Sequence, residues 1–151
     1  MAVFLSLVLG SLVARGVGWF GVDYVDSWPA AIAVGLAVMF TMTGVAHFVP
    51  GMRRDMIAIV PPRLPKPALL VTITGVLELL GAIGVLYPPT RVAAAVCLLA
   101  LMLVMFPANV YASGMPNPPK SMTSMTSRLD VRSGEEVVYL AAAVVVAICG
   151  G

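Results

Sequence analysis

Residues 67–87 read PALLVTITGVLELLGAIGVLY, an apolar run broken by one charged side chain, Glu78. As a helix rising 1.5 Å per residue it reaches about 31 Å, the thickness of a bilayer's hydrocarbon layer. Glu78 stands near the middle, where a carboxylate costs roughly 2.5 to 3.5 kcal/mol on insertion scales. Such a side chain must face protein or water. At helical spacing around it lie Val71, Thr74, Gly75, Gly81, Ala82 and Val85. These are mostly small residues, which let another helix approach closely, so this side of the run reads as a packing face.

The flanking sequence repeats the pattern. Residues 2–20, 29–48 and 91–111 are further apolar runs of about spanning length, and 135–149 is a shorter one of about 22 Å. The chain has 151 residues, of which 60% are apolar and 11% charged, with a mean hydropathy of +1.01. A soluble domain is about a quarter charged, so this composition excludes a water-soluble globule. The expected fold is all-α: a single transmembrane domain over residues 1–151, built as a polytopic helix bundle in a lipid bilayer. Residues 2–20 carry Arg15 and lack a basic region ahead of them, which predicts a retained helix rather than a cleaved signal peptide. Ser133 followed by Glu136 predicts a capping-box start for the last helix. Pro29, Pro67 and Pro88-Pro89 punctuate the span limits.

Charge in the loops suggests a direction. The loop 49–66 holds Arg53, Arg54, Arg63 and Lys66, and the loop 112–134 holds Lys120, Arg128 and Arg132. The excess of basic residues predicts that both loops lie inside, with the N-terminus cytoplasmic. Within the first loop, Met52 to Val60 reads as a short interfacial helix. The second carries a polar tract at 121–127 that is expected to be mobile. Trp19, Phe20, Tyr24 and Trp28 read as anchors at the opposite boundary.

Several polar groups invite pairing. Gly10, Ala14 and Gly18 make a small-residue strip on the first span, which predicts packing of the first span on the third. Arg15 and Glu78 lie at depths that differ by only about 3 Å, so an Arg15–Glu78 ion pair is one expectation. A proton-linked or ligand-facing carboxyl that hydrogen-bonds a carbonyl, such as a quinone oxygen, is the other. His47 ends the second span and Asn109 nearly ends the fourth, on the same side of the membrane, where they either line a pocket mouth or reach headgroups. Pro107 cannot donate to the carbonyl of Leu103, which predicts a bend just before Asn109.

Other chemistries are disfavoured. The basic residues form no run with interleaved aromatics, so nucleic-acid binding is not expected. Cys97 and Cys149 stand alone in apolar runs and read as inert core thiols, with no metal site and no intrinsic cofactor. Phosphate-loop, dinucleotide and nucleophile-elbow motifs do not occur.

The segments Gly44-Val45-Ala46-His47-Phe48, Gly75-Val76-Leu77-Glu78-Leu79-Leu80-Gly81 and Phe106-Pro107-Ala108-Asn109 resemble, in order and spacing, the DoxX-like family of small bacterial integral membrane proteins. The resemblance covers about residues 29 to 111 well and the last helix weakly. It implies a four-helix membrane core, here with an extra N-terminal helix, and it carries over His47, Glu78 and Asn109 as site positions. The run Arg128-Leu129-Asp130-Val131-Arg132 departs from the family pattern before the last helix. The family name comes from a subunit of a thiosulfate to quinone oxidoreductase. The resemblance therefore implies a quinone-facing accessory subunit of a membrane redox system in the bacterial plasma membrane, with a bound quinone and electrons supplied by a partner. The competing expectation is a non-catalytic interaction or assembly factor that engages a membrane-protein partner or forms a homo-oligomer.

Overall fold

The computed structural model describes residues 2–115 and 129–150. Among them the chain is all-helical: α1 (Ala2–Trp19), a 3-10 turn (Asp23–Val25), α2 (Trp28–Ala46), α3 (Pro50–Ala58), α4 (Pro67–Leu86), α5 (Pro88–Ser113) and α6 (Leu129–Cys149). Helices α2, α3, α4 and α5 each carry proline in the first turn, where a missing N–H leaves no bond unmade. Ser27 caps α2, its hydroxyl accepting from the Ala30 amide at 3.3 Å. Pro88-Pro89 opens α5 rather than merely closing α4, so α5 begins three residues before the expected 91, and Tyr87 alone separates the two helices.

Helices α2, α4, α5 and α6 form a ring in which each packs on the next and α6 returns to α2. Helix α1 lies along α2 outside that ring. The fold is thus a four-helix core with an added N-terminal helix. Helix α2 sits where α1, α4 and α6 meet, and its alanines and Gly35 are buried around its circumference. The core runs through Leu36, Met39, Phe40, Val85, Leu98 and Val146.

The ring's outer faces are apolar too. Leu80 and Ile83 of α4 and Ile148 of α6 are each at least 60% exposed, as is Val13 on α1 beyond the ring. An apolar surface of that extent is a liability in water and the normal exterior in lipid. Helices α1, α2, α4 and residues 88–112 of α5 are long and apolar enough to cross a membrane, which makes the protein multi-pass.

The expectations for α6, α1 and the cysteines need correction. Helix α6 starts at Leu129, not at a Ser133 capping box, and Asp130, Arg132, Glu135 and Glu136 fall inside its first turns. Its 21 residues reach about 31 Å, yet only the part after Glu136 is continuously apolar. Helix α1 packs on α2, not on α4: Gly10 faces Gly35, and a Cβ on Gly35 would stand 2.6 Å from the Leu7 carbonyl oxygen. A small residue on each helix permits this contact, and α2 offers more of them than α4. Cys97 and Cys149 are exposed on the outer faces rather than buried in the core. An apolar run in a membrane helix does not distinguish the side facing lipid from the side facing protein. The short helix expected at Met52 to Val60 is present as α3, with Met56 and Ile59 packed near Ala112. The tract 121–127 lies outside the described residues.

The Gly35 contact can be tested. Gly35→Val should overpack the α1–α2 seam and destabilise the protein by about 1–3 kcal/mol, measured by denaturant unfolding in detergent. Gly16→Ala, where nothing lies within 4 Å of the added methyl, should be neutral or mildly stabilising.

Candidate functional site

The small-residue stripe on α4 fixes where Glu78 points. Val71, Gly75, Glu78, Ala82 and Val85 are the buried residues of α4, so the carboxyl is turned inward with its stripe. Glu78 is 4% exposed. Helix α2 ends beside it: Gly44 meets Leu79 and the Glu78 Cβ, and a Cβ on Gly75 would lie 2.6 Å from the Cβ of His47. Only glycine at 75 lets the end of α2 come this close, and the approach carries His47 to Glu78.

His47 is also 4% exposed. Its Nδ1 lies 2.9 Å from the Thr43 carbonyl oxygen and 3.8 Å from Glu78 Oε2. A carbonyl only accepts, so Nδ1 carries the proton and, in the neutral ring, Nε2 is left as an acceptor. The Thr43 side chain also bears on the Glu78 carboxyl. Glu78 Oε2 is buried without a hydrogen bond, an unusual condition for a carboxyl oxygen.

Behind this pair opens a cavity of about 650 Å³. Its wall takes Thr43 and His47 from α2, Glu78 from α4, Asn109 from α5 and Tyr139 from α6, with apolar contributions that include Met39, Phe40, Met102 and Met105. The structure thus brings Glu78, His47 and Asn109 to one cavity, in the half of the bundle where α2 ends and α4 begins. The volume falls within the usual range for small-molecule sites, and the mix of a mainly apolar wall with a few convergent polar groups is typical of them. Pro107, next to the cavity-lining Ala108, lies inside α5, which continues past it to Ser113.

Arg15 is not part of this site. It lies at the far end of α1, where its Nη1 donates to Asp26 Oδ1 at 2.8 Å and its guanidinium stacks over Trp19 and Trp28 at 5.3 and 5.8 Å. The expected Arg15–Glu78 pair is therefore absent. Equal depth brings two side chains together only if their helices adjoin. Here α2 stands next to α1, and the long arginine side chain reaches to the boundary instead.

Other contributors gave no clear signal in the sequence. Glu135 and Glu136 line the cavity along with Tyr139, one turn further on the same face of α6. That spacing was available, but the helix start expected at Ser133 made the acids look like cap residues. Arg53 of α3 donates from Nη1 to the His47 carbonyl at 3.3 Å, and from Nη2 to the Ala68 carbonyl at 3.0 Å and to Thr72 Oγ1 at 2.8 Å. It ties the end of α2 to the first turns of α4 and so supports His47 from behind. Among the described residues, no three histidine, cysteine, aspartate or glutamate side chains gather as metal ligands.

Loss of the Arg53 tie should be measurable. Arg53→Ala should destabilise the protein by about 1–3 kcal/mol in detergent unfolding. Arg53→Lys should recover only part of this, because an ammonium cannot span acceptors on two helices as a guanidinium does.

No curated protein and no solved structure matches the chain. Residues 36–147 match the family described as Domain of unknown function (DUF8561), a stretch that begins within α2 and includes α3, α4, α5 and most of α6. That match takes in His47, Glu78, Asn109 and nearly the whole ring while leaving α1 outside, and the chain belongs to the DUF8561 family.

Proposed function

We propose that this protein is a DoxX-like, quinone-facing accessory subunit of a membrane redox system. The observation that carries the reading is Glu78: a carboxyl 4% exposed, with Oε2 unbonded, on the wall of an apolar cavity of about 650 Å³. A buried polar atom without a partner is costly, and a ligand carrying a carbonyl or hydroxyl would satisfy it. When protonated, Glu78 donates a hydrogen bond to a carbonyl oxygen. His47 Nε2 accepts one from a hydroxyl, and Asn109 offers both functions. The methionine-rich wall suits an apolar ring and tail. A quinone supplies the redox chemistry; the protein's part is to bind it, exclude water and hold a proton at Glu78. Electrons come from a partner subunit.

The protein sits in the bacterial plasma membrane with its N-terminus cytoplasmic. Supporting this, Arg53 and Arg54 of α3, with Arg63 and Lys66 between α3 and α4, lie at the cavity end of the bundle. The alternative, an assembly factor that docks a client on its small-residue faces, has less support, since Gly10 and Gly18 are already covered by α2 and the 3-10 turn, and Gly75 by His47.

Two measurements check these readings. In native mass spectrometry from mild detergent, the wild type should carry one added short-chain ubiquinone, and Glu78→Gln should weaken its binding about tenfold, or about 1.4 kcal/mol. Equal binding by both proteins, or a stoichiometric protein partner with no small ligand, overturns the proposal. For topology, in a Cys97→Ser, Cys149→Ser background that removes the native thiols, a membrane-impermeant maleimide added to intact cells should label Phe20→Cys and spare Gly51→Cys; the reverse pattern inverts the orientation.

A further inference from the structure

The charged side chains that line the cavity have one sign. Glu78 is at the deep end and Glu135 and Glu136 stand on the α6 wall, whereas no lysine or arginine lines it among the described residues. The nearby guanidinium, Arg53, is turned to the His47 and Ala68 carbonyls and the Thr72 hydroxyl. His47 is held with its Nδ1 against the Thr43 carbonyl. The remaining wall is mainly apolar and polarizable, with Met39, Phe40 and Met102 in one packed cluster with Tyr139 of α6. Thioether and aromatic surfaces tolerate large apolar cations well.

We propose that this cavity binds lipophilic cations, tertiary or quaternary amines and their phosphonium analogues, with the positive centre against the Glu78 carboxylate and the apolar arms on the methionine wall. This rests on the cavity being the ligand site proposed above, but not on the ligand being a quinone. A carboxylate in an apolar wall is expensive alone and strongly stabilised by a cation brought to it in the same low-dielectric space. Binding is therefore an exchange. The O–H bond of Glu78 breaks, its proton leaves to water at the cavity mouth, and one cation takes its place; no electrons move. The groups that share the cavity with Glu78 during this exchange are Thr43 and His47 from the end of α2, Asn109 from α5 and the acids Glu135 and Glu136 from α6, with Arg53 of α3 behind His47. Glu78 is the exchanging acid because its Oε2 is, among the described residues, the buried carboxyl oxygen without a hydrogen bond.

The test is calorimetric titration of the full chain in mild detergent with tetraphenylphosphonium chloride, repeated in two buffers of different ionisation enthalpy at the same pH. The expected result is saturable one-to-one binding with up to one proton released per cation. Glu78→Gln should bind at least about tenfold more weakly and release none. A Glu135→Gln, Glu136→Gln double variant should keep the proton release, which separates Glu78 from a general acidic attraction and does not depend on the fold of Glu78→Gln. Binding with no proton release, unchanged binding by Glu78→Gln, or proton release that vanishes only in the double variant overturns the proposal. Short-chain ubiquinone binding is measured on the same sample. If the quinone binds and the cation does not, this inference alone fails; if neither binds, the proposed function fails with it.

Discussion

A carboxyl group at membrane depth is tolerated only where protein surrounds it, and the ring of helices is arranged around meeting that demand at Glu78. The stripe of small residues on α4 turns it inward, and glycine at 44 and 75 lets α2 close over it. The same close approach places His47 at 3.8 Å from Glu78 on the wall of a cavity that α5 and α6 complete. Burial of one acid and formation of a ligand-sized space are thus two results of a single helix crossing. A bulkier residue at 75 would disturb both together.

Polar contacts divide between the two ends of the bundle. At the Tyr87 end, Arg15 pairs with Asp26, the Tyr24 hydroxyl donates to the Leu86 carbonyl, and Arg91, 7% exposed, donates to the Val85 carbonyl at 3.1 Å while stacking on the Tyr24 ring. The Tyr24 and Arg91 bonds satisfy carbonyls that helix α4 leaves unpaired at its C-terminus. At the other end Arg53 ties the end of α2 to the start of α4. Both ends carry side-chain ties, and the cavity lies at the Arg53 end.

Much of this could be read from residue order. Helix limits follow from the length of apolar runs and from proline, which acts locally and does not depend on tertiary context. The inward direction of Glu78 follows from the cost of charge in hydrocarbon together with its small neighbours. The grouping of His47, Asn109 and Glu78 follows in part from counting which helix ends share a side. Neighbour choice does not follow: α1 has a small-residue strip that would suit either α2 or α4, and nothing local decides between them. The Arg15–Glu78 expectation fails for that reason. Cys97 and Cys149 turn outward against expectation because both faces of a membrane helix are apolar, so periodicity says little about direction. The start of α6 differs from the expected one because charged residues in a first turn look like a cap wherever the true start lies.

Helices α4 and α5 are joined through Tyr87 alone. Two rods linked that tightly cannot slide past each other and have freedom only to splay at their distant tips, as the arms of tweezers do. With the joined end also held by the Tyr24 hydroxyl on the Leu86 carbonyl, a guest too large for the resting space is accommodated by parting the tips.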